Sequence, residues 1–238
     1  MFQHEGKNRT HAHNLGIASV LSFVAGMVNV TGYFTVFEMT TNVTGHFVFF
    51  TSKLVEKDYY PALGYVAYVL LFLLGAFTSN LITQLIARRK HTSIYTAPAF
   101  IEASIFALLA YYGQELVAIH PNLLAFALLF SMGFQNALVT SISDAIVRTT
   151  HLTGLFTDLG IECAQWFFYR KPDERRKLKI SMRLRATIIG SFLLGALVSG
   201  YSYERFGLHT LFLPSAVLFF ILAYDYIQMR ISAMNFWR

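Results

Sequence analysis

Four stretches of the chain, 15–37, 62–87, 123–143 and 186–203, carry no charged side chain. Each lies at or near the ~20 residues that a helix needs to cross a bilayer. Backbone N–H and C=O groups in hydrocarbon must be satisfied inside the protein, so runs of this kind specify helices. Only 13% of residues are charged against 55% hydrophobic, whereas soluble domains carry about 25% charged residues. An integral membrane protein is predicted, with the lipid bilayer as its first partner. The polar residues 1–14 read as a cytoplasmic tail ahead of a retained first helix. The apolar run that follows is too long for a signal-peptide core of ~7–15 residues and lacks a clean cleavage site.

The chain also repeats itself. Thr40-Thr41-Asn42-Val43-Thr44-Gly45-His46-Phe47 returns as Thr149-Thr150-His151-Leu152-Thr153-Gly154-Leu155-Phe156. Gly26-Met27-Val28-Asn29 answers to Gly133-Phe134-Gln135-Asn136, Phe72-Leu73-Leu74-Gly75-Ala76 to Phe192-Leu193-Leu194-Gly195-Ala196, and Pro98 to Pro214. Two homologous halves in an apolar chain are the usual build of a small transporter, with the working site where the halves meet. Repeat 1 spans about 15–113 and repeat 2 about 122–230, within a single transmembrane domain 15–238.

Six segments are long enough to cross: 15–37, 61–87, 94–113, 122–147, 186–203 and 208–228. The two Thr-Thr-x-x-Thr-Gly segments are short or interrupted (Lys53 in the first, Asp158 and Glu162 in the second) and suit re-entrant or half helices. The positive-inside rule agrees. If neither crosses, sixteen Lys and Arg residues lie on the cytoplasmic side, and only Lys53, Lys57 and Arg205 lie outside. If both cross, Arg88, Arg89 and Lys90 move outside and the asymmetry shrinks to fourteen against five. The expected fold is therefore all-α and polytopic. It has about six transmembrane helices plus two half helices, built as two repeats, inverted in the six-crossing layout and parallel in an eight-crossing one. Both termini are cytoplasmic.

Met132-Gly133-Phe134-Gln135-Asn136-Ala137 followed by Thr149-Thr150-His151-Leu152-Thr153-Gly154 resembles the YoaK family, an uncharacterised group of bacterial inner-membrane proteins with about six spans. The resemblance covers roughly residues 15–230. It implies a bacterial inner-membrane location and a fold, and supplies no reaction. This chain departs from the family pattern at two places: Asn29 stands where an aspartate is usual, and His46 stands where an asparagine follows the first Thr-Gly.

Candidate residues follow from what is costly in a membrane. Thr40, Thr41, Thr149 and Thr150 are good N-cap types. A half helix starting there would aim its N–H groups inward, with Thr44, Gly45, His46, Thr153 and Gly154 lining a site; the alternative is plain helix packing. Asn29 and Asn136, each three residues after a glycine, could hydrogen-bond across the interface between halves or contact a polar substrate. Glu102 falls roughly 12 Å into a ~30 Å core, where a carboxylate is a proton carrier or cation partner unless it sits paired on a helix interface. Asp158 and Glu162 are four apart on one helix face, so mutual repulsion would raise one pKa and suit proton coupling. Asp144 and Arg148 share that spacing with opposite sign. All four could instead reach water by snorkelling.

Eight of the nineteen basic residues fall between positions 170 and 185. Arg170, Lys171, Arg175, Arg176, Lys177 and Lys179 there form a cytoplasmic loop suited to anionic lipid or a partner. A basic cluster beside a membrane segment argues against nucleic acid. Ser191, Gly195 and Ser199 make a small-residue stripe for helix packing or homodimer formation, echoed by Gly75 and Ser79. His4, His11 and His13 read as a solvated tail rather than a metal site. The lone Cys163 rules out an intrachain disulfide and a thiolate metal cage. No phosphate loop, dinucleotide fingerprint, zinc-protease motif or nucleophile elbow is present, so neither an enzyme nor a cofactor is predicted. The two function classes left are a secondary transporter or permease of an unknown small molecule or ion, and a non-transporting scaffold acting through its basic segment.

Overall fold

The structure, a computed structural model, describes residues 10–88 and 94–236, in which every regular element is helical. The eight α-helices are α1 His11–Val36, α2 Val43–Val55, α3 Tyr59–Arg88, α4 Thr96–Ile119, α5 Pro121–Ile142, α6 Leu152–Phe168, α7 Pro172–Phe206 and α8 Phe212–Phe236, with a 3-10 turn Gly207–Leu211 before α8. His4, Lys7, Arg9, Arg89, Lys90 and Arg238 lie outside the described residues. Five helical stretches are long and apolar enough to cross a membrane; the last of them, Pro172–Ile231, takes in α7, the turn and most of α8. The short α2 and α6, of 13 and 17 residues, are not among them.

Local sequence explains the ends. Thr10 caps α1 with a reciprocal box to His13, so the helix begins at His11 rather than at 15, and residues 11–14 belong to it instead of to a polar tail;. Phe37 closes α1 in the left-handed region (φ 57°);. α4 and α5 meet at the single residue His120, with Pro121 at the first position of α5, where its missing N–H costs nothing;. α7 has 35 residues, about 52 Å at 1.5 Å per residue;. The expected basic loop is thus a helix: Pro172 opens it, Asp173 and Glu174 favour its positive end, and Lys and Arg are good helix formers;. Arg170 and Lys171 alone remain in the link.

Side-chain contacts set the directions. Thr31 Oγ1 meets Ser199 Oγ (2.7 Å) and Thr35 Oγ1 reaches Tyr203 Oη (3.0 Å), numbers climbing together, so α1 and α7 are parallel. Tyr68 against Phe126 and Gly75 against Phe130 make α3 and α5 parallel likewise. Gln135 on Leu21 and Leu128 on Gly32 make α1 and α5 antiparallel. Ser215 on Ala103 and Phe219 on Phe100 do the same for α4 and α8. Tyr95 on Ser141 and Leu124 near Gly113 show α5 returning along α4. Helices α1, α4 and α7 therefore run one way, and α3, α5 and α8 the other. Arg88, Arg148, the start of α7 and Arg230 gather on what we call the basic face; Lys53, Lys57 and Arg205 lie at the opposite face.

The two parallel pairs touch through one motif used four times, Phe-x-x-Gly, at Phe23/Gly26, Phe72/Gly75, Phe130/Gly133 and Phe192/Gly195. An added Cβ at Gly26 would lie 2.0 Å from the Phe192 carbonyl oxygen, and at Gly195 2.0 Å from that of Phe23. Gly75 and Gly133 stand in the same relation to Phe130 and Phe72, again at 2.0 Å. Backbones approach this closely only because glycine has no side chain. The Ser191/Gly195/Ser199 stripe is consumed here within the chain: Gly195 faces Phe23, and Ser199 Oγ donates to the Met27 carbonyl (2.9 Å). Around these crossings Leu21, Val24, Ala25, Val28, Leu128 and Met132 are fully buried.

Candidate functional site

Each half hangs its short helix from an asparagine. Asn29 Oδ1 accepts from the Thr41 N–H (3.2 Å), Thr41 Oγ1 (3.0 Å) and Thr40 Oγ1 (3.3 Å). Asn136 Oδ1 accepts from Thr150 Oγ1 (2.7 Å). The two amides therefore do not bond across the interface; Asn29 holds both threonines of its half, and Asn136 holds Thr150. This also corrects the expected caps. The threonines lie in the loops ahead of the helices, so Asn42 caps α2 by accepting from Gly45 N–H (3.0 Å), while α6 starts after His151 with no side-chain cap.

On the opposite face α2 lies on α3. His46 is 1% exposed, its Nε2 is 3.0 Å from the Met39 carbonyl, and its Nδ1 is 3.7 Å from Glu38 Oε2. A carbonyl only accepts, so Nε2 carries the proton and Nδ1 offers its lone pair toward Glu38. Burial holds the imidazole below its ordinary pKa and hence neutral, against the Met39 bond that favours the charged form. Burial likewise lifts Glu38 from 4.5 to about 7, opposed by a hydrogen bond from Tyr65;. Glu38, Tyr65, Tyr68, His120 and Asn122 line a cavity of about 790 Å³ on this face.

Glu38 supplies a prediction. A carboxyl whose folded pKa lies above its unfolded value favours the folded state most below about 4.5, and this contribution is lost as pH rises to about 7;. The shift corresponds to roughly 3 kcal/mol. Thermal unfolding in detergent should show stability falling across that window in the wild type and a flatter profile in Glu38→Gln; an identical slope in both would remove Glu38 from the account.

On the basic face α6 lies on α7. Arg185 bridges Glu162 (Nη1 to Oε1, 2.5 Å) and Asp158 (Nη2 to Oδ2, 3.1 Å), and Nη1 also contacts Ser181 Oγ. The expected like-charge pair is thus split by a guanidinium, which removes the repulsion on which its proton-carrying role rested. Arg148, His151, Gly154, Asp158 and Arg185 line a cavity of about 320 Å³. Asp144 and Arg148 fall beyond the end of α5, with Asp144 in a left-handed turn (φ 53°), so they lack helical spacing.

The two clusters occupy matching positions. In the Gly45/Gly154 register Asp158 corresponds to Phe49, and in the Phe72/Phe192 register Arg185 corresponds to Tyr65. The first half joins those positions by a ring contact, Phe49 to Tyr65 at 5.3 Å, and the second by an ion pair. One architecture is secured by two chemistries.

The sequence-predicted residues do not converge on one central cavity. Asn29, Gly45 and His46 belong to the opposite face, where Thr44 is exposed; Asn136, Asp158 and Glu162 belong to the basic face, where Thr153 and Gly154 are exposed. Glu102 sits alone between them on α4, 0% exposed, neither oxygen having a hydrogen-bond partner. Along α7, Arg175, Arg176, Lys177 and Lys179 are exposed; Arg175 also bonds the Tyr169 carbonyl (2.8 Å) and lies over Trp166 (5.4 Å). Sequence reasoning passed over Glu38, Tyr65, Gln135 and the pairing role of Arg185. The only signal for the last was its place at the inner end of the basic run, nearest the apolar segment.

Long apolar helices and short helices pinned by half-buried amides define a polytopic helical protein of membrane type. The chain belongs to the DUF1275 family, described as proteins of unknown function, whose profile matches residues 17–224. No curated protein and no solved structure matches it.

Proposed function

We propose that the protein is a small permease of a polar small molecule or ion, made of inverted halves that open alternately to the two sides of the membrane. The observation that carries this reading is the pair of cavities, about 790 and 320 Å³, one on each face, each beside the loop that leads into a half-length helix. Half helices on opposite faces of an inverted duplication are a recurring arrangement for alternating access. Helices α1, α4, α5 and α3, together with α7 and α8, supply six crossings in this reading. The excess of Lys and Arg on the basic face makes that face cytoplasmic, in a bacterial inner membrane as the YoaK resemblance implies. The two crossings built on the glycines Gly26, Gly75, Gly133 and Gly195 are the natural surfaces for rocking, having no side chains to interlock there.

Single cysteines in a Cys163→Ser background test it. Tyr60→Cys should react with impermeant maleimide only from outside and Arg88→Cys only from inside. Locking α2 to α3 through a His46→Cys/Tyr68→Cys cross-link should raise the reactivity of Ser181→Cys on the other face several-fold. Labelling of Arg88→Cys from outside, or no response at Ser181→Cys, would leave the permease reading without support.

One observation favours a second reading, a scaffold that binds partners or lipid. The exposed basic start of α7 follows directly on Phe167 and Phe168, which are 78% and 80% exposed;. Under it, neutralising Arg175, Arg176, Lys177 and Lys179 abolishes activity in the cell and the cysteine on the other face stays unresponsive to the cross-link.

A further inference from the structure

Glu102 and Gln135 are fully buried polar residues that the half helices do not use. Both are 0% exposed, and Glu102 Oε1, Glu102 Oε2 and Gln135 Oε1 lack hydrogen-bond partners. Helix geometry brings them face to face. Position 113 on α4 meets Leu124 on α5, with a Cβ there 3.7 Å from Leu124 Cδ1. Glu102 is eleven residues before Gly113, and Gln135 eleven after Leu124. Eleven residues are about three turns, returning to within roughly 20° of the same face some 16 Å along the axis. Because α4 and α5 are antiparallel, both steps lead to the same level and the same interface.

The amide is already oriented. Gln135 Nε2 donates to the Leu21 carbonyl (2.8 Å), which leaves Oε1 as an acceptor in need of a donor;. An ionised carboxylate opposite it has none to give, and would itself be an unpaired charge in the core. A neutral carboxyl has one O–H. We propose that Glu102 is a proton-binding site in the bundle core, its carboxyl O–H donating to Gln135 Oε1 as an acid–amide hydrogen bond between α4 and α5.

No counter-charge stands at that level among the described residues. α5 carries no ionisable side chain. His209 bonds the Ala110 carbonyl (2.7 Å), about two turns away along α4;. Asp225, Tyr224, Tyr226 and Arg230 lie nine or more residues beyond Ser215, whose hydroxyl meets Ala103. α1 brings His11, His13 and Tyr33 near its ends, and α3 brings Tyr59, Tyr60, Tyr65, Tyr68 and Arg88 toward its two ends. On α4 itself Tyr111, Tyr112 and Glu115 are two or more turns off. The other half shows that packing does not demand the pair: in the glycine and proline registers Gln135 corresponds to Val28 and Glu102 to Leu218, both 0% exposed. The proton site stands apart from the permease reading; only its use in coupling flux rests on that reading.

Infrared difference spectroscopy of the purified full chain tests the site directly. At neutral pH the wild type should show the C=O stretch of a protonated carboxylic acid beyond the share that Glu38 contributes, and that component should be lost in Glu102→Gln. In Gln135→Leu the band should persist and move to higher frequency, since its acceptor is gone; Gln135→Met serves if the leucine variant does not fold. A band absent from the wild type, or unmoved in the Gln135 variants, overturns the proposal. So does a band that disappears on adding sodium, which would make the occupant a metal cation. Failure of the cysteine experiment leaves this band in place, so the two readings fall separately.

Discussion

Gly26→Ala is expected to destabilise the protein by about 3 kcal/mol or more, at or above the upper end of the usual cost of overpacking. The added methyl would sit 2.0 Å from the Phe192 carbonyl oxygen and 3.0 Å from the Ala196 nitrogen, both backbone atoms. A flexible side chain can swing away; a helix backbone cannot, so α1 and α7 must part along the whole contact. Gly133→Ala should behave alike through Phe72. Gly64→Ala and Gly190→Ala are the controls: nothing lies within 4 Å of a Cβ at either, and alanine in a helix gains up to about 1 kcal/mol over glycine;. Unfolding in mixed SDS micelles reads all four. Because Gly26 and Gly195 share one crossing, their double variant should lose less than the two singles together. A Gly26→Ala protein as stable as Gly64→Ala would mean that the crossing is not that close.

The second large effect is expected at Arg185. Its replacement by methionine keeps the unbranched stem of the side chain and removes the charge shared by Glu162 (11% exposed) and Asp158 (51% exposed). Stranding one partner of a buried pair costs about 3–5 kcal/mol; with Arg185 itself 23% exposed, a loss near 2–3 kcal/mol is expected after screening;. Adding Glu162→Gln to Arg185→Met should restore most of that loss. The correspondence with Phe49 and Tyr65 suggests a stricter test. Arg185→Tyr combined with Asp158→Phe rebuilds the contact of the first half, and should be more stable than the sum of its single variants allows. Strict additivity in a double-mutant cycle would show that the two positions do not meet.

Several features were legible before any coordinates. Apolar length located α1 and α3 to within four residues, and α4, α5 and α8 with one end off by five to eight, because crossing hydrocarbon imposes helix on any such run. The charges interrupting the two Thr-Gly segments marked them as short helices, which α2 and α6 are. Treating charge as the end of a helix puts the start of α7 at 186, whereas the helix begins at Pro172. Charge ends the apolar part only, and Lys, Arg and Glu continue the helix readily in water. Asn29 and Asn136 stand out in sequence as a matched pair, but the expected bond between them across the interface is replaced by bonds to threonines of their own segments. Their threonines, eleven to fourteen residues away, sit next to them once the loop folds back. Glu38 drew no notice, since its unusual protonation comes from burial beside His46 and Tyr65, neither of which is a neighbour in sequence.

By itself, then, the chain determined its apolar helices, its recurring segments and the uneven spread of its charge. Each of these depends on residues close together in sequence or on simple sums along it. The tertiary structure alone decided which glycine meets which carbonyl, that an arginine stands between two acids, and that the Glu102 carboxyl is buried with neither oxygen hydrogen-bonded. Those outcomes depend on how distant helices close on one another, where a shift of one residue turns a side chain by about 100° and aims it at a different neighbour.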